Sequence, residues 1–158
     1  MTTLHQLNIR YVPLEDRLLL RISGKDGAEY RFWLTRRYTA LLRQALNREI
    51  DRCGGRPILA ASGETTKMFK EGAFEKPFEE ESTRYPLGES GVLGARIGVN
   101  RQQNGNLRLD LAPQQGQGIA LNLNRPLLFM FDTLLSQGIA QTGWNLASDE
   151  ASGSTRVH

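Results

Sequence analysis

Side chains able to act as nucleophiles, bases or metal ligands are scarce in this chain. The single cysteine, Cys53, is flanked by Arg52 and Gly54-Gly55, and the two histidines, His5 and His158, stand near opposite ends. A reactive thiolate needs a base or a cationic field beside it. Arg52 and Arg56 bring charge but no histidine is near, so Cys53 reads as an inert, partly buried thiol. One cysteine and two distant histidines assemble neither an internal disulfide nor a zinc site. Gly88-Glu89-Ser90-Gly91 lacks the G-x-S-x-G spacing of a nucleophile elbow. The consecutive carboxylates Glu79-Glu80-Glu81 diverge and carry no calcium-loop spacing. No glycine-rich loop links a strand to a helix in the manner of a phosphate cradle. The expectation is a non-enzymatic protein with no metal and no cofactor.

What remains for chemistry is arginine and tryptophan. Residues 1–56 hold eleven Arg or Lys against six acids, whereas residues 57–89 hold four against seven. The basic segment also alternates. If Leu7, Ile9 and Tyr11, then Leu18, Leu20 and Ile22, then Tyr30, Phe32 and Leu34 face a core, the opposite face carries Arg10, Arg17, Leu19, Arg21, Arg31 and Trp33. Guanidinium forks bind phosphates and an indole offers a stacking surface for an unpaired base. Arg10, Arg17, Arg21, Arg31 and Trp33 are therefore the candidate binding residues, and the expected partner is single-stranded DNA or RNA. The competing reading has the middle segment or a second subunit covering Trp33 and Leu19, in a protein-interaction or scaffold module that forms a homodimer.

These side chains must be positioned by a repeated unit. Leu18 and Leu107 align without gaps at a separation of 89 positions, and the same separation relates Leu20 to Leu109, Gly27 to Gly116, Leu34 to Leu123 and Leu46 to Leu135. Each copy shows period-two strands joined by turn residues, Gly24-Lys25-Asp26-Gly27 in one and Pro113-Gln114-Gln115-Gly116 in the other. Asn104-Gly105 is a hairpin signal in the second copy. Thr35 and Asn124 then suit helix caps, with Pro126 in the first turn. The helices are expected at about Arg36 to Asp51, with Tyr38, Leu41, Leu42, Ala45 and Ile50 on one face, and at about Arg125 to Gln141. The second helix is apolar nearly all round, and is expected on its own sheet and against the first helix or a partner.

The expected fold is α+β, a tandem of β-β-β-(β)-α repeats with antiparallel sheets, approximate two-fold symmetry and centrally packed helices. Residues 1–56 form the first repeat, 57–91 a connecting segment, 92–147 the second repeat and 148–158 a small polar tail expected to be disordered. Within the connection, Ser62 to Lys70 reads as a short helix, Phe69, Phe74 and Phe78 as apolar anchors, and Tyr85-Pro86-Leu87-Gly88 as a leading strand for the second copy. The arrangement over residues 5–51 and 92–141 resembles that of the Whirly and Pur-alpha families of single-stranded nucleic-acid-binding proteins. The resemblance is one of architecture and implies splayed sheets with helices packed together; it transfers no site residue. With 158 residues, 39% hydrophobic and 23% charged, the composition is that of one soluble domain. No apolar run suits a membrane span, no signal segment is read at the N-terminus, and the lone cysteine points to reducing cytoplasm.

Overall fold

The computed structural model describes residues 4–70 and 77–146. Along the chain come β1 (Leu4–Val12), β2 (Arg17–Gly24), β3 (Glu29–Leu34), α1 (Arg36–Arg52), α2 (Arg56–Ala61), α3 (Gly63–Lys70), β4 (Val92–Leu93), β5 (Arg96–Arg101), β6 (Leu107–Ala112), β7 (Ile119–Leu123) and α4 (Arg125–Ala140). The strands form two sheets, β1-β2-β3-β4 and β5-β6-β7. Neighbouring strands are antiparallel except β4, which lies parallel to β3 through Phe32–Val92 and Trp33–Leu93. The fold is α+β. No helix among the described residues is long and apolar enough to cross a membrane.

Alternating leucines set the register. Leu18, Leu20 and Ile22 of β2 and Leu107, Leu109 and Leu111 of β6 are buried in one continuous hydrophobic cluster. Leu18 pairs with Leu34 and Leu20 with Phe32; 89 positions on, Leu107 pairs with Leu123 and Leu109 with Leu121. Slipping either hairpin by one residue would turn these side chains out to water. The β2–β3 turn depends on Gly27, whose φ of +85° is left-handed and whose missing Cβ would stand 2.9 Å from Thr83 Oγ1.

Both long helices begin as the cap residues dictate. Thr35 Oγ1 accepts the Tyr38 N–H at 3.1 Å, and Asn124 Oδ1 accepts the Leu127 N–H at 3.0 Å. Thr35→Ala and Asn124→Ala should each lower stability by about 1 kcal/mol, additively in the double variant, as measured by urea denaturation. Unchanged midpoints would show that these bonds contribute nothing. The inward face of α1 is Tyr38, Leu42, Leu46, Glu49 and Ile50, whereas Leu41, expected inside, is 48% exposed. Gly54 and Gly55 stop α1 with left-handed φ values, and Pro57 sits in the first turn of α2, where its fixed φ is suited. Helix α3 starts at Gly63, with Ser62 Oγ accepting the Thr65 N–H at 3.1 Å.

Two features depart from the sequence reading. First, α4 reaches across to the other sheet: a Cβ on Gly138 would lie 3.0 Å from Ile9 Cγ2 in β1 and 3.3 Å from Leu18 Cδ2 in β2. Its girth of buried Leu128, Phe129, Met130, Phe131, Leu135 and Ile139 is too wide for one three-stranded sheet to cover. Conversely, α1 packs on α4 and sends the Tyr38 hydroxyl to the carbonyl of Arg96 at the start of β5, at 2.9 Å. Second, Tyr85 to Gly88 forms a turn closed by Gly88 N–H to Tyr85 O, 2.9 Å, rather than a strand; Pro86 has no N–H for a ladder. The leading strand is β4, and it extends the first sheet instead of the second. Leu19 on the outward face of β2 is only 5% exposed, in line with the competing reading of a covered face. The expected anchor Phe74 and the tail 148–158 lie outside the described residues, as does the side chain of Phe69.

Candidate nucleic-acid interface

Strand register brings the predicted residues together on the outer face of the first sheet. One row across β1, β2 and β3 is Arg10–Leu19–Trp33, and the next is Asn8–Arg21–Arg31. Arg17, opposite Val12, lies beyond the first row. Directly paired side chains on one sheet face stand about 5 Å apart at Cβ, so three guanidiniums and an indole share a small area.

That face is not open. The segment from Pro77 to Gly91 runs over it. Phe78 lies 4.2 Å from the Arg21 guanidinium, ring centroid to carbon, and Glu80 Oε1 accepts from Arg21 Nη1 at 2.7 Å. Gln6 clasps the segment twice, donating to the Pro77 carbonyl at 3.1 Å and accepting the Glu79 N–H at 2.7 Å. His5 meets Glu79 Oε2 at 3.0 Å. Farther along, Tyr85 stacks 4.8 Å from the Arg31 guanidinium, Arg31 Nη1 donates to the Glu89 carbonyl at 2.7 Å, and Trp33 Nε1 donates to the Ser90 carbonyl at 2.9 Å. Trp33, Arg17, Arg21 and Arg31 are half-buried and Arg10 is exposed. The expectation of one freely exposed Arg10–Arg21–Arg31–Trp33 patch is thus replaced by a patch whose counterparts come from the chain itself, because the acidic segment complements the basic sheet.

The covering segment is held in two different ways. From Thr83 onward it is tied by main-chain bonds, Thr83 N–H to Gly27 O and Glu29 N–H to Arg84 O, both 2.9 Å, and then by β4. Glu29 reinforces this stretch: fully buried, it accepts from Arg31 Nε and from Ser82 Oγ. Residues 77–82, over Arg21, are held through side chains alone among the described bonds. Glu80 reports the field there. The hydrogen bond from Arg21 lowers its pKa most, and the charges of Arg21, Arg31 and Arg10 lower it further, against a desolvation contribution of opposite sign.

The other sequence candidates carry no reactive arrangement. Cys53 is half-buried at the C-cap of α1, its N–H bonded to the Glu49 and Ile50 carbonyls. Ser90 lies in the tie-down of Trp33, between left-handed Gly88 and Gly91. No group of three or more His, Cys, Asp or Glu side chains suited to a metal occurs among the described residues. On the second sheet's outer face, Arg96 is spent on the Pro113 and Gly116 carbonyls, 2.8 and 2.9 Å, and Arg108 on Asp110, 3.1 Å. Sequence reasoning missed the roles of Glu29 and Tyr85; the opposite charge of residues 1–56 and 57–89 was a signal only for the pairing of Arg21 with Glu80.

The fold and site together define a two-sheet α+β protein with a basic face covered by its own acidic segment. No family model, curated protein or solved structure matches the chain.

Proposed function

We propose that the protein is a non-enzymatic binding protein for single-stranded nucleic acid, which it takes on the outer face of the first sheet when residues 77–82 are displaced. One observation carries this reading: Arg21, Arg31 and Arg10 all act on the single carboxylate of Glu80, with Phe78 stacked on Arg21 beside it. An anionic group next to a flat ring is the chemistry of a nucleotide, and the segment supplies both. The covering contacts over Arg21 are few, and the Glu80 carboxylate that pairs with it stays 63% exposed, so water screens that ion pair. Trp33 and Arg31 lie under the stretch tied by main-chain bonds, so binding centres on Arg10, Arg17 and Arg21.

Fluorescence anisotropy with a labelled single-stranded DNA, and separately RNA, tests the reading. Affinity should fall steeply with salt through counterion release, and Arg21→Ala should flatten the logarithmic salt slope by about one unit. Replacing Glu79, Glu80 and Glu81 together by Gln should tighten binding, since the internal competitor loses its charge. Failure of both the wild type and this variant to bind at low salt overturns the proposal.

A second reading, a homodimeric interaction module, draws on exposed apolar residues away from the first-sheet face: Val99 on edge strand β5 is 38% exposed, and Leu41 on α1 is 48% exposed. A dimer by light scattering that persists at high salt, with no oligonucleotide binding, would favour it.

A further inference from the structure

A second cationic site lies away from the first-sheet face, in the cleft between α1 and β5. The cleft has a volume of about 240 Å³ and is lined by Ala45, Arg48, Glu49 and Arg52 of α1 and by Val99 and Arg101 of β5. Glu49, whose side chain is 9% exposed, faces arginines on both elements: Oε1 meets Arg52 Nη1 at 3.1 Å and Oε2 meets Arg101 Nη2 at 3.8 Å. Each guanidinium has five N–H donors, so these contacts leave most of both forks unused, and the side chains remain 53% and 48% exposed. Arg48 lines the same cleft and has no ion-pair partner among the described residues. Three guanidiniums against one carboxylate leave two positive charges uncompensated.

We propose that this cleft binds a phosphate group, held by Arg48, Arg52 and Arg101. Glu49 is the positioning residue, since it lies between two of the three guanidiniums, 3.1 Å from Arg52 and 3.8 Å from Arg101. Planar forks match tetrahedral oxyanions through paired N–H bonds, as lysine does not. At about 240 Å³ the cleft is smaller than the roughly 300 Å³ at which pockets for drug-sized molecules begin, which suits a phosphate or diphosphate group rather than a whole nucleotide. Two sources share this chemistry, a small phosphorylated molecule and the backbone of a nucleic acid. The inference does not depend on the first-sheet reading, because no residue is common to the two sites.

Isothermal titration of the full chain with inorganic phosphate and with pyrophosphate at low ionic strength tests the first source, and anisotropy with a single-stranded oligonucleotide the second. Arg48→Ala is the key variant, since loss of an exposed side chain without an ion-pair partner leaves the fold intact, as circular dichroism would verify. It should weaken binding about tenfold, and Arg48→Lys should recover part of the loss. Loss of pyrophosphate or phosphate affinity identifies a small phosphorylated ligand. Loss confined to the oligonucleotide identifies the polymer backbone. If neither titration responds to Arg48→Ala or Arg101→Ala, the site is refuted. Arg21→Ala should leave phosphate and pyrophosphate titrations unchanged, which keeps failure here distinct from failure of the first-sheet reading.

Discussion

Tyr38→Ala should lower the unfolding free energy by about 3–5 kcal/mol, seen as a reduced urea midpoint at unchanged slope. The side chain is 3% exposed and fills the place where the chain passes from the first sheet to the second. Its ring lies so close to the chain at Gly94 that a Cβ there would meet Cε2 and Cζ at 2.8 Å. Its hydroxyl donates to the Arg96 carbonyl at 2.9 Å, and burial raises the phenol pKa far above its usual value, so this donor keeps its proton through the physiological range. Tyr38→Phe should cost only about 1 kcal/mol, because it removes one hydrogen bond and leaves the packing. Gly94→Ala should cost about 1–3 kcal/mol in the wild type and less beside Tyr38→Ala, where the added methyl enters vacated space. A double-mutant cycle with coupling below about 0.5 kcal/mol would contradict the close packing of ring on glycine.

Tyr38 also marks the boundary of what the sequence discloses. Its place on the buried face of a helix capped by Thr35 is legible, because period and cap chemistry are local. Its contacts with Gly94 and Arg96 are not, since they join residues more than fifty positions apart. The same division runs through the molecule. The hairpin leucines announce their parity by alternation, and the rows Arg10–Leu19–Trp33 and Asn8–Arg21–Arg31 follow once parity is set. The covering segment has no period to read. Phe78, Glu80 and Tyr85 find Arg21 and Arg31 by complementary charge and ring stacking, which leave only a compositional trace. The crossing of α4 to the first sheet is intermediate: its apolar girth calls for two partners, but which sheet supplies the second depends on tertiary geometry around Gly138. The phosphate cleft is half-legible in the same sense. Arg48 and Arg52, four apart, share a face of α1, whereas Arg101 joins them only when β5 comes alongside.

Asp132→Ala should cost about 3 kcal/mol, toward the low end for a broken buried ion pair. Asp132 on α4 is 1% exposed, and its Oδ2 pairs with Arg56 at the start of α2. Arg56 is half-exposed and regains water when the carboxylate goes, which is why the cost stays at the low end. Burial raises the Asp132 pKa above the usual carboxylate value, against the lowering effects of Arg56 and Arg43. The other Asp132 oxygen, Oδ1, has no hydrogen-bond partner among the described residues, consistent with an anion that its surroundings serve incompletely. The pH dependence follows from the direction of that shift. The folded chain takes up the proton at a higher pH than the unfolded chain, whose carboxyl titrates near about 3.9. The contribution is therefore fully present below the unfolded value and is lost as pH rises through the folded one. Asp16, Asp26 and Glu80, with lowered values, act in the opposite sense and lose their contributions as pH falls. Comparison with Asp132→Asn isolates the one group: wild type should gain stability relative to this variant as pH is lowered from 7 toward 4, in urea melts at matched ionic strength. A difference that stays flat or shrinks over that range would mean that the two arginines outweigh burial and hold Asp132 as an ordinary paired carboxylate.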